Sequence, residues 1–481
     1  MSWDSEFEKA FNPRAVAFVG VSRNSVGGTY TFFPAANGFM VRMMERGYEG
    51  RVYPINPGQG EVAGLKVYPD LKSLPEAVDL VVVCVPAKAV PSVLEDSIAA
   101  GAKNIHIYTA GFEETGLQEG KRLAGEVREI VERGGLRVIG PNCMGLYVPG
   151  TKVSMWPEAD SKGGHVAFVS QSGRLAQDYA EYAQHRGIGF SKSISFGNGY
   201  GIRECDFLEY LTGDPDTRVI GMYLEGLSDG QRFVKTVKGL NRVKPVVVWK
   251  SGLTDAGSQA ARSHTGSMAG QEKVWNAFYR QTGAIPVASL EEMADAHLAL
   301  LNLPPPKGRR VAHFGVGGGS SVASADIYAR AGFAVPKLSE DTRNELRRFI
   351  APAGTSVRNP LDISGVMRDT DTVKRTLEKV AADPVVDIIV IAQHWLMVWF
   401  TQGKVVPTLA EYLTEFVREN RYGKPLVAVT RNWTEQQEGR GWIMELDRAL
   451  LAAGIPTYPT EERAASALSK YVGYYEFLDR G

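Results

Sequence analysis

Short β-branched runs recur along the whole chain, each followed by a Gly, Ser, Pro or Asn turn and then a helical pattern. They are Val16–Val21, Leu80–Val85, Ile105–Tyr108, Val138–Ile139, Val166–Val169, Ile194–Phe196, Val219–Leu224, Val246–Trp249, Val311–Phe314, Ile388–Ile391 and Leu426–Val429. Runs with so little polar alternation suit strands covered by helices on both faces, which means parallel sheets. The reading is therefore α/β with mostly parallel sheets. A chain of 481 residues is too long for one core to be the default. Two stretches read as boundaries, Pro149–Gly164 with WPEADSKGG and Leu303–Arg310 with LPPPKGRR. They divide the chain into units 1–150, 160–300 and 308–481.

Composition removes several function classes. Lys plus Arg and Asp plus Glu both number 54, so no bulk charge calls for nucleic acid or an anionic membrane. Cys84, Cys143 and Cys205 are widely spaced and lack ligand spacing, which argues for a reducing compartment and no metal site in this chain. Apolar runs are strand-sized and the opening MSWDSEFEKAF is too acidic for a signal peptide. The expectation is a cytoplasmic protein without a membrane span.

In open sheets of this kind ligands sit at the carboxyl ends of strands, so the unusual residues there matter most. In the first unit VAFVGVSRNSVGG places Gly20, Gly27 and Gly28 after a strand, where close approach to a phosphate would require glycine. A tight turn explains the same glycines. The spacing is not G-x-G-x-x-G, and the next strand ends in Asn56 and Pro57 where a dinucleotide enzyme carries a ribose-binding carboxylate. NAD is disfavoured; another phosphate-bearing nucleotide ligand is open. Further strand ends bring Pro86 and Lys88, then Thr109, Ala110 and Gly111, then Pro141, Asn142 and Cys143 to the same edge, a groove suited to an extended ligand.

In the second unit HVAFVSQSGRLAQDYAEYAQHRG puts Ser170, Gln171, Ser172 and Gly173 between a strand and an amphipathic helix. Such a turn is an anion seat or an ordinary serine cap. The segment ARSHTGSMAG sets His264 in a small-residue loop before the next helix, where backbone amides can wrap a phosphate. A neutral imidazole could attack phosphorus if a partner fixed its tautomer, and Glu225, at the end of VIGMYLEG, is a strand-end carboxylate suited to that. No G-x-x-x-x-G-K-[ST] is present, so ATP is not held by a P-loop here.

The segments S-H-T-G-S at 263–267, G-P-N-C-x-G at 140–145 and F-V-S-Q-S-G at 168–173 resemble those of the nucleoside-diphosphate-forming acyl-CoA ligases, which include succinyl-CoA synthetase and the ADP-forming acetyl-CoA synthetases. The resemblance covers nearly the whole chain. It implies a CoA-binding Rossmann-like domain at 1–150, a phosphohistidine-bearing flavodoxin-like domain at 160–300, and a CoA-ligase-associated flavodoxin-like domain at 308–481. It further implies that His264 is phosphorylated, that Glu225 orients it, and that Ser170, Gln171, Ser172, Gly173, Thr265 and Gly266 hold phosphate. Coenzyme A would lie near Gly20, Ser22, Asn56, Val85, Pro86, Thr109, Ala110, Asn142 and Cys143. The implied reaction converts a small carboxylic acid, CoA and ATP into acyl-CoA, ADP and phosphate, reversibly, through acyl phosphate and phosphohistidine. No ATP-grasp segment matches, so the resemblance implies an alpha subunit whose ATP, ADP and Mg2+ are held by a separate ATP-grasp beta subunit in an α2β2 assembly. Two other readings keep the CoA site: an acyl transferase without ATP coupling, and a non-catalytic CoA-binding scaffold.

Some segments depart from the family pattern. TYTFFPAANGF at 29–39 carries Tyr30, Phe32, Phe33 and Phe39, which could line an acyl pocket or pack against a neighbour. SFGNGYGIREC at 195–205 places Gly199 and Tyr200 where relatives have a charged and a small residue. In the third unit Gly315 and Gly317–Gly319 suit a phosphate turn or tight strand–helix packing equally. SVRNPLDISG at 356–365 matches a loop of the ADP-forming branch. The tail reads as a last strand and a helix begun by Pro459 and Thr460, with Ala465, Leu468, Tyr471 and Val472 on its apolar stripe.

Overall fold

The computed structural model describes residues 5–22, 36–58, 60–156, 163–259, 271–315, 317–363, 367, 369–394, 398, 401–432 and 435–480. They form two compact units, Met1–Leu290 and Glu291–Gly481. The β-branched runs become strands of an α/β fold whose three main sheets are mostly parallel.

The first sheet has the order Arg51–Ile55, Ala15–Val19, Leu80–Val83, Asn104–Ile107, Arg137–Ile139, all parallel. Ala15–Val19 and Leu80–Val83 are buried at every position, as uninterrupted apolar runs demand. Strand order reverses at Ala15–Val19, because the chain pairs first with Arg51–Ile55 on one side and then with Leu80–Val83 on the other. A crevice opens outside the carboxyl ends at such a reversal.

The second sheet, in the same unit, runs Ile285–Pro286, Val246–Lys250, Val219–Leu224, Gly163–Ser170, Phe190–Ser195, Gly145–Val148, Val153–Ser154. Its last two strands are antiparallel additions, so the chain enters this sheet before the Pro149–Gly164 stretch. Order reverses again at Gly163–Ser170, which lies between Val219–Leu224 and Phe190–Ser195. The helix Gly173–His185 that follows buries Ala176, Tyr179, Ala180 and Ala183, the three-and-four spacing of one helical face.

The second unit holds a parallel sheet in chain order, Val311–Phe314, Ile388–His394, Leu426–Arg431, Thr457–Tyr458, with no reversal among these strands. Helix Leu290–Asn302 joins this unit through Asp295, which takes Arg463 Nε and Nη2 at 2.6 and 2.8 Å. Tyr471 donates its hydroxyl to the Pro304 carbonyl, so the proline stretch is strapped down within the same unit. The last helix, Glu461–Asp479, is capped by the Thr460 hydroxyl and buries Ala465, Leu468, Tyr471 and Val472, the stripe expected from sequence. Its first residue, Glu461, is buried and accepts from Tyr328 (2.9 Å) and Arg431 (3.1 Å), with His313 Nε2 at 3.0 Å, so this carboxylate serves as a structural tie.

Candidate functional site

The two reversals in the first unit carry two different constructions. At the first, Gly20, Ser22, Asn56, Val85 and Pro86 line a cavity of about 670 Å3, together with Cys84 and the Pro69–Lys72 segment. Gly20 has φ +100, and a Cβ there would meet the Cys84 carbonyl oxygen at 2.6 Å, so its first duty is to let two neighbouring strand ends approach closely. Ser22 is gripped on both sides by Asn37, whose Oδ1 accepts the Ser22 amide at 2.8 Å and whose Nδ2 donates to the Ser22 carbonyl at 2.6 Å. Asn56 donates Nδ2 to the Val21 carbonyl at 2.6 Å and accepts the Gly58 amide at 2.8 Å. The side-chain amides of Asn37 and Asn56 are thus spent on holding backbone beside the cavity.

Thr109, Ala110, Asn142 and Cys143 are not among the residues lining that cavity. They meet at the neighbouring strand ends: the Thr109 hydroxyl donates to the Val85 carbonyl at 2.6 Å, and the Asn142 amide donates to the Thr109 carbonyl at 2.9 Å. Ala110 is exposed. Cys143 is turned inward, its Sγ donating to the Ile107 carbonyl at 3.7 Å, and burial pushes its thiol up to about 12.

At the second reversal the turn Ser170–Gly173 makes a helix start. Ser170 Oγ donates to the Ser172 carbonyl at 2.7 Å and accepts the Ser172 amide at 3.1 Å, while Ser172 Oγ accepts the Leu175 amide at 3.3 Å. Both hydroxyls therefore shape the turn. By helix geometry the amides of Gly173 and Arg174 have no intrahelical acceptor and carry the positive end of the helix dipole. Gln171 reaches across the sheet: its Oε1 accepts the main-chain amides of Glu225 and, at 3.0 Å, Gly226.

Glu225 is buried, with the Tyr223 hydroxyl 3.4 Å from its Oε1. Its carbonyl accepts from Lys250 Nζ at 3.0 Å, and Lys250 also donates to the Ser251 carbonyl. Lys250 is itself buried at the end of Val246–Lys250, with its ammonium 5.5 Å from the centre of the Trp275 ring. Burial lowers its pKa and the nearby Glu225 carboxylate opposes that. The expected turn and the expected carboxylate are thus brought together by Gln171. His264, Thr265 and Gly266 lie outside the described residues, as do Tyr30, Phe32 and Phe33. Phe39 is buried and packs edge-on against Tyr108 at 5.0 Å.

Sequence reasoning missed Asn37, the Gln171 link and the role of Lys250. A lysine closing the apolar run VVVWK was the available signal, since a lysine is seldom fully buried without a task. Among the glycines of the second unit, Gly315 (φ +108) faces the Ala392 carbonyl so closely that a Cβ could not fit, which supports the packing explanation there.

Comparison with known proteins follows the same division. Residues 14–149 match the family described as CoA binding domain, 163–300 the succinyl-CoA ligase like flavodoxin domain, and 311–472 the Ligase-CoA domain. The chain is 37% identical over 460 residues to the alpha subunit of acetate–CoA ligase [ADP-forming] II of Pyrococcus furiosus, covering 95% of each. It is 34% identical over 476 residues to 4-hydroxybutyrate–CoA ligase [ADP-forming] of Nitrosopumilus maritimus, covering 97% of this chain and 64% of that longer protein. Its fold superposes on the dinucleotide forming acetyl-coenzyme A synthetase 1 of Ca. Korarchaeum cryptofilum, solved with phosphate and ADP, with TM-score 0.83 and 30% identity over 98% of this chain and 97% of the other.

Proposed function

Since the chain belongs to the alpha subunits of the ADP-forming acyl-CoA synthetases, we propose that its two reversals divide the reaction, CoA at the first and the phosphoryl group on His264 at the second. In the direction of acyl-CoA synthesis, ATP bound with Mg2+ on a separate ATP-grasp beta subunit phosphorylates His264 and leaves ADP. A carboxylate oxygen of a small acid then attacks the phosphohistidine phosphorus, freeing the imidazole and forming an acyl phosphate. The CoA thiolate attacks the acyl carbon and expels inorganic phosphate. Forming the acyl phosphate gives the carboxylate a good leaving group, which the thiolate then displaces.

The assembly of Gln171, Glu225 and Lys250 at the start of helix Gly173–His185 carries this reading. It holds a buried carboxylate by its main chain beside an amide-rich helix start. Glu225 would accept the N–H of one His264 ring nitrogen, keeping the other as a neutral nucleophile. The Gly173 and Arg174 amides, with the Thr265 and Gly266 segment, would take the phosphoryl oxygens, their turn shaped by Ser170, Gln171 and Ser172. CoA would run from Gly20, Ser22, Asn56, Val85 and Pro86 past Thr109 and Ala110 toward Asn142 and Cys143. The natural assembly is α2β2, in the cytoplasm.

The test is labelling of the assembled enzyme with ATP carrying a labelled γ-phosphate. Acid-labile label on this chain is expected in wild type and absent in His264→Asn. An H264N enzyme that makes acyl-CoA at the wild-type rate would remove the mechanism. CoA-dependent acyl exchange with no label retained on the wild-type chain would favour an uncoupled transferase.

A further inference from the structure

The first unit contains a polar relay that the scheme above leaves unused. Glu114, in the turn after strand Asn104–Ile107, accepts the main-chain amides of Gly111 at 2.6 Å and Phe112 at 3.0 Å with Oε1. Its Oε2 accepts Asn198 Nδ2 at 2.7 Å, and Asn198 Oδ1 accepts Asn142 Nδ2 at 3.4 Å. Three loops, from three strands and both sheets of the unit, are joined by this chain of groups.

The backbone around it is held firmly. The Asn198 amide donates to the Pro141 carbonyl at 3.0 Å and the Tyr200 amide to the Gly140 carbonyl at 2.9 Å. Asn142 sits at φ +57, a conformation asparagine tolerates better than most residues, and a Cβ on Gly197 would strike its carbonyl oxygen. Tyr200 packs edge-on against Phe112 at 5.9 Å under the Arg128 guanidinium, which pairs with Glu113 at 2.5 Å.

A carboxylate can only accept hydrogen bonds, whereas a side-chain amide both donates and accepts. Glu114 therefore requires Asn198 to present its NH2, which turns the Asn198 oxygen to Asn142. Asn142 must in turn present its own NH2, and its Oδ1 is left over. Among the described residues that oxygen makes no hydrogen bond. We propose that Glu114 is a positioning residue for acyl transfer: through Asn198 it sets the polarity of the Asn142 amide so that Oδ1 accepts an amide N–H of the pantetheine arm of CoA. The inference rests on the reading that CoA passes Asn142.

Glu114→Gln tests it with one isosteric change. The new NH2 faces Asn198, so Asn198 and then Asn142 reverse, and the outward oxygen becomes a donor. CoA binding to the full-length chain, measured by calorimetry, is expected to weaken about tenfold, the upper end for a single hydrogen bond. ATP-dependent labelling of the enzyme assembled with its partner, and the melting temperature, stay at wild-type values. Asn142→Asp in the E114Q background accepts from the reversed Asn198 and shows its second oxygen outward, so the double variant regains CoA affinity. Asn198→Ala, which cuts the relay without touching Glu114, weakens CoA several-fold and provides the check should E114Q fail to accumulate. Wild-type CoA affinity in both E114Q and N198A, or a double variant no better than E114Q, overturns the proposal. A wild-type chain that does not bind CoA overturns the CoA reading itself, and the relay falls with it.

Discussion

The two strand-order reversals of the first unit stand in one compact body and use opposite materials. At the Gly20 reversal the polar side chains, Asn37 and Asn56, are consumed in holding main chain beside an open cavity. At the Ser170 reversal main-chain groups of Glu225 are held by Gln171 and Lys250, and what is set in place is a buried carboxylate beside a helix start. A long, many-atom ligand is suited by backbone spread over several loops. A phosphoryl group in transit is suited by a few oriented charges and dipoles that need not reorganise. On the proposed reading the same fold supplies binding at one reversal and chemistry at the next, while the sheet of the second unit, whose strands run in chain order, ties its buried Glu461 into structure.

The sharpest way to break this contrast is Glu225→Gln. If the second reversal exists for chemistry, the variant keeps the Gln171 and Lys250 tethers, which touch only main chain, and loses the negative charge. Phosphohistidine formation is expected to slow roughly 100- to 1000-fold, with CoA affinity and melting temperature near wild type. Rapid-quench labelling beside CoA calorimetry makes the check. Equal losses in both measurements would mean that the two reversals are one site.

Much of this was legible in the sequence, for reasons that also explain the rest. Uninterrupted β-branched runs such as Leu80–Val85 declare strands covered on both faces, and SQSG before a helical stripe declares a capped helix start. Gly145–Val148 and Val153–Ser154 escaped because short antiparallel additions carry no such run, and pairing partners are set by tertiary contact. The motif around Cys143 drew attention to a thiol that faces the interior, since sequence does not say which side of a strand end turns inward. Gln171 and Glu225 are far apart in sequence, so their link exists only once the sheet has formed.

The reversals should also differ in acid. The first sheet rests on a buried neutral histidine: burial lowers the pKa of His106 to about 4, only partly opposed by the Cys143 carbonyl at 3.3 Å. Between the ordinary value of 6.5 and about 4, the unfolded chain binds a proton that the folded His106 refuses, so stability falls as pH falls through that window. The loss is at most roughly 3 kcal/mol. The second sheet holds the buried pair Lys192–Asp214 at 2.8 Å; burial raises the Asp214 pKa, but hydrogen bonds from Lys192 and Thr217 outweigh it and leave the carboxylate below its ordinary value. That stability is present above the unfolded carboxylate range and is lost only as pH falls through and below it. Urea melts should therefore show wild type losing more than His106→Leu between pH 6.5 and 4, whereas Asp214→Asn, already less stable at neutral pH, runs parallel to wild type through that window and converges on it only at lower pH. Parallel curves for wild type and H106L across the upper window would refute the assignment.

The smallest effect separates the two glycines. At Gly20 a methyl would meet the Cys84 carbonyl, which is main chain of a central strand end, and φ of +100 is strained for any other residue. Gly20→Ala is expected to cost about 1–3 kcal/mol and to weaken CoA binding, because the wall it displaces is the cavity wall. At Gly173 a methyl would meet Met144 Cγ at 2.8 Å, the side chain of a flexible residue, with the Met144 amide at 3.3 Å behind it. Methionine can rotate aside, and the helix start tolerates alanine, so Gly173→Ala should change stability by less than about 1 kcal/mol and leave CoA binding alone. Measured together by urea melts and calorimetry, the pair asks whether the first reversal is a backbone device and the second is not. If G173A proves the more damaging to CoA binding, the turn at Ser170–Gly173 contributes to the CoA wall, and the division of labour between the reversals is drawn in the wrong place.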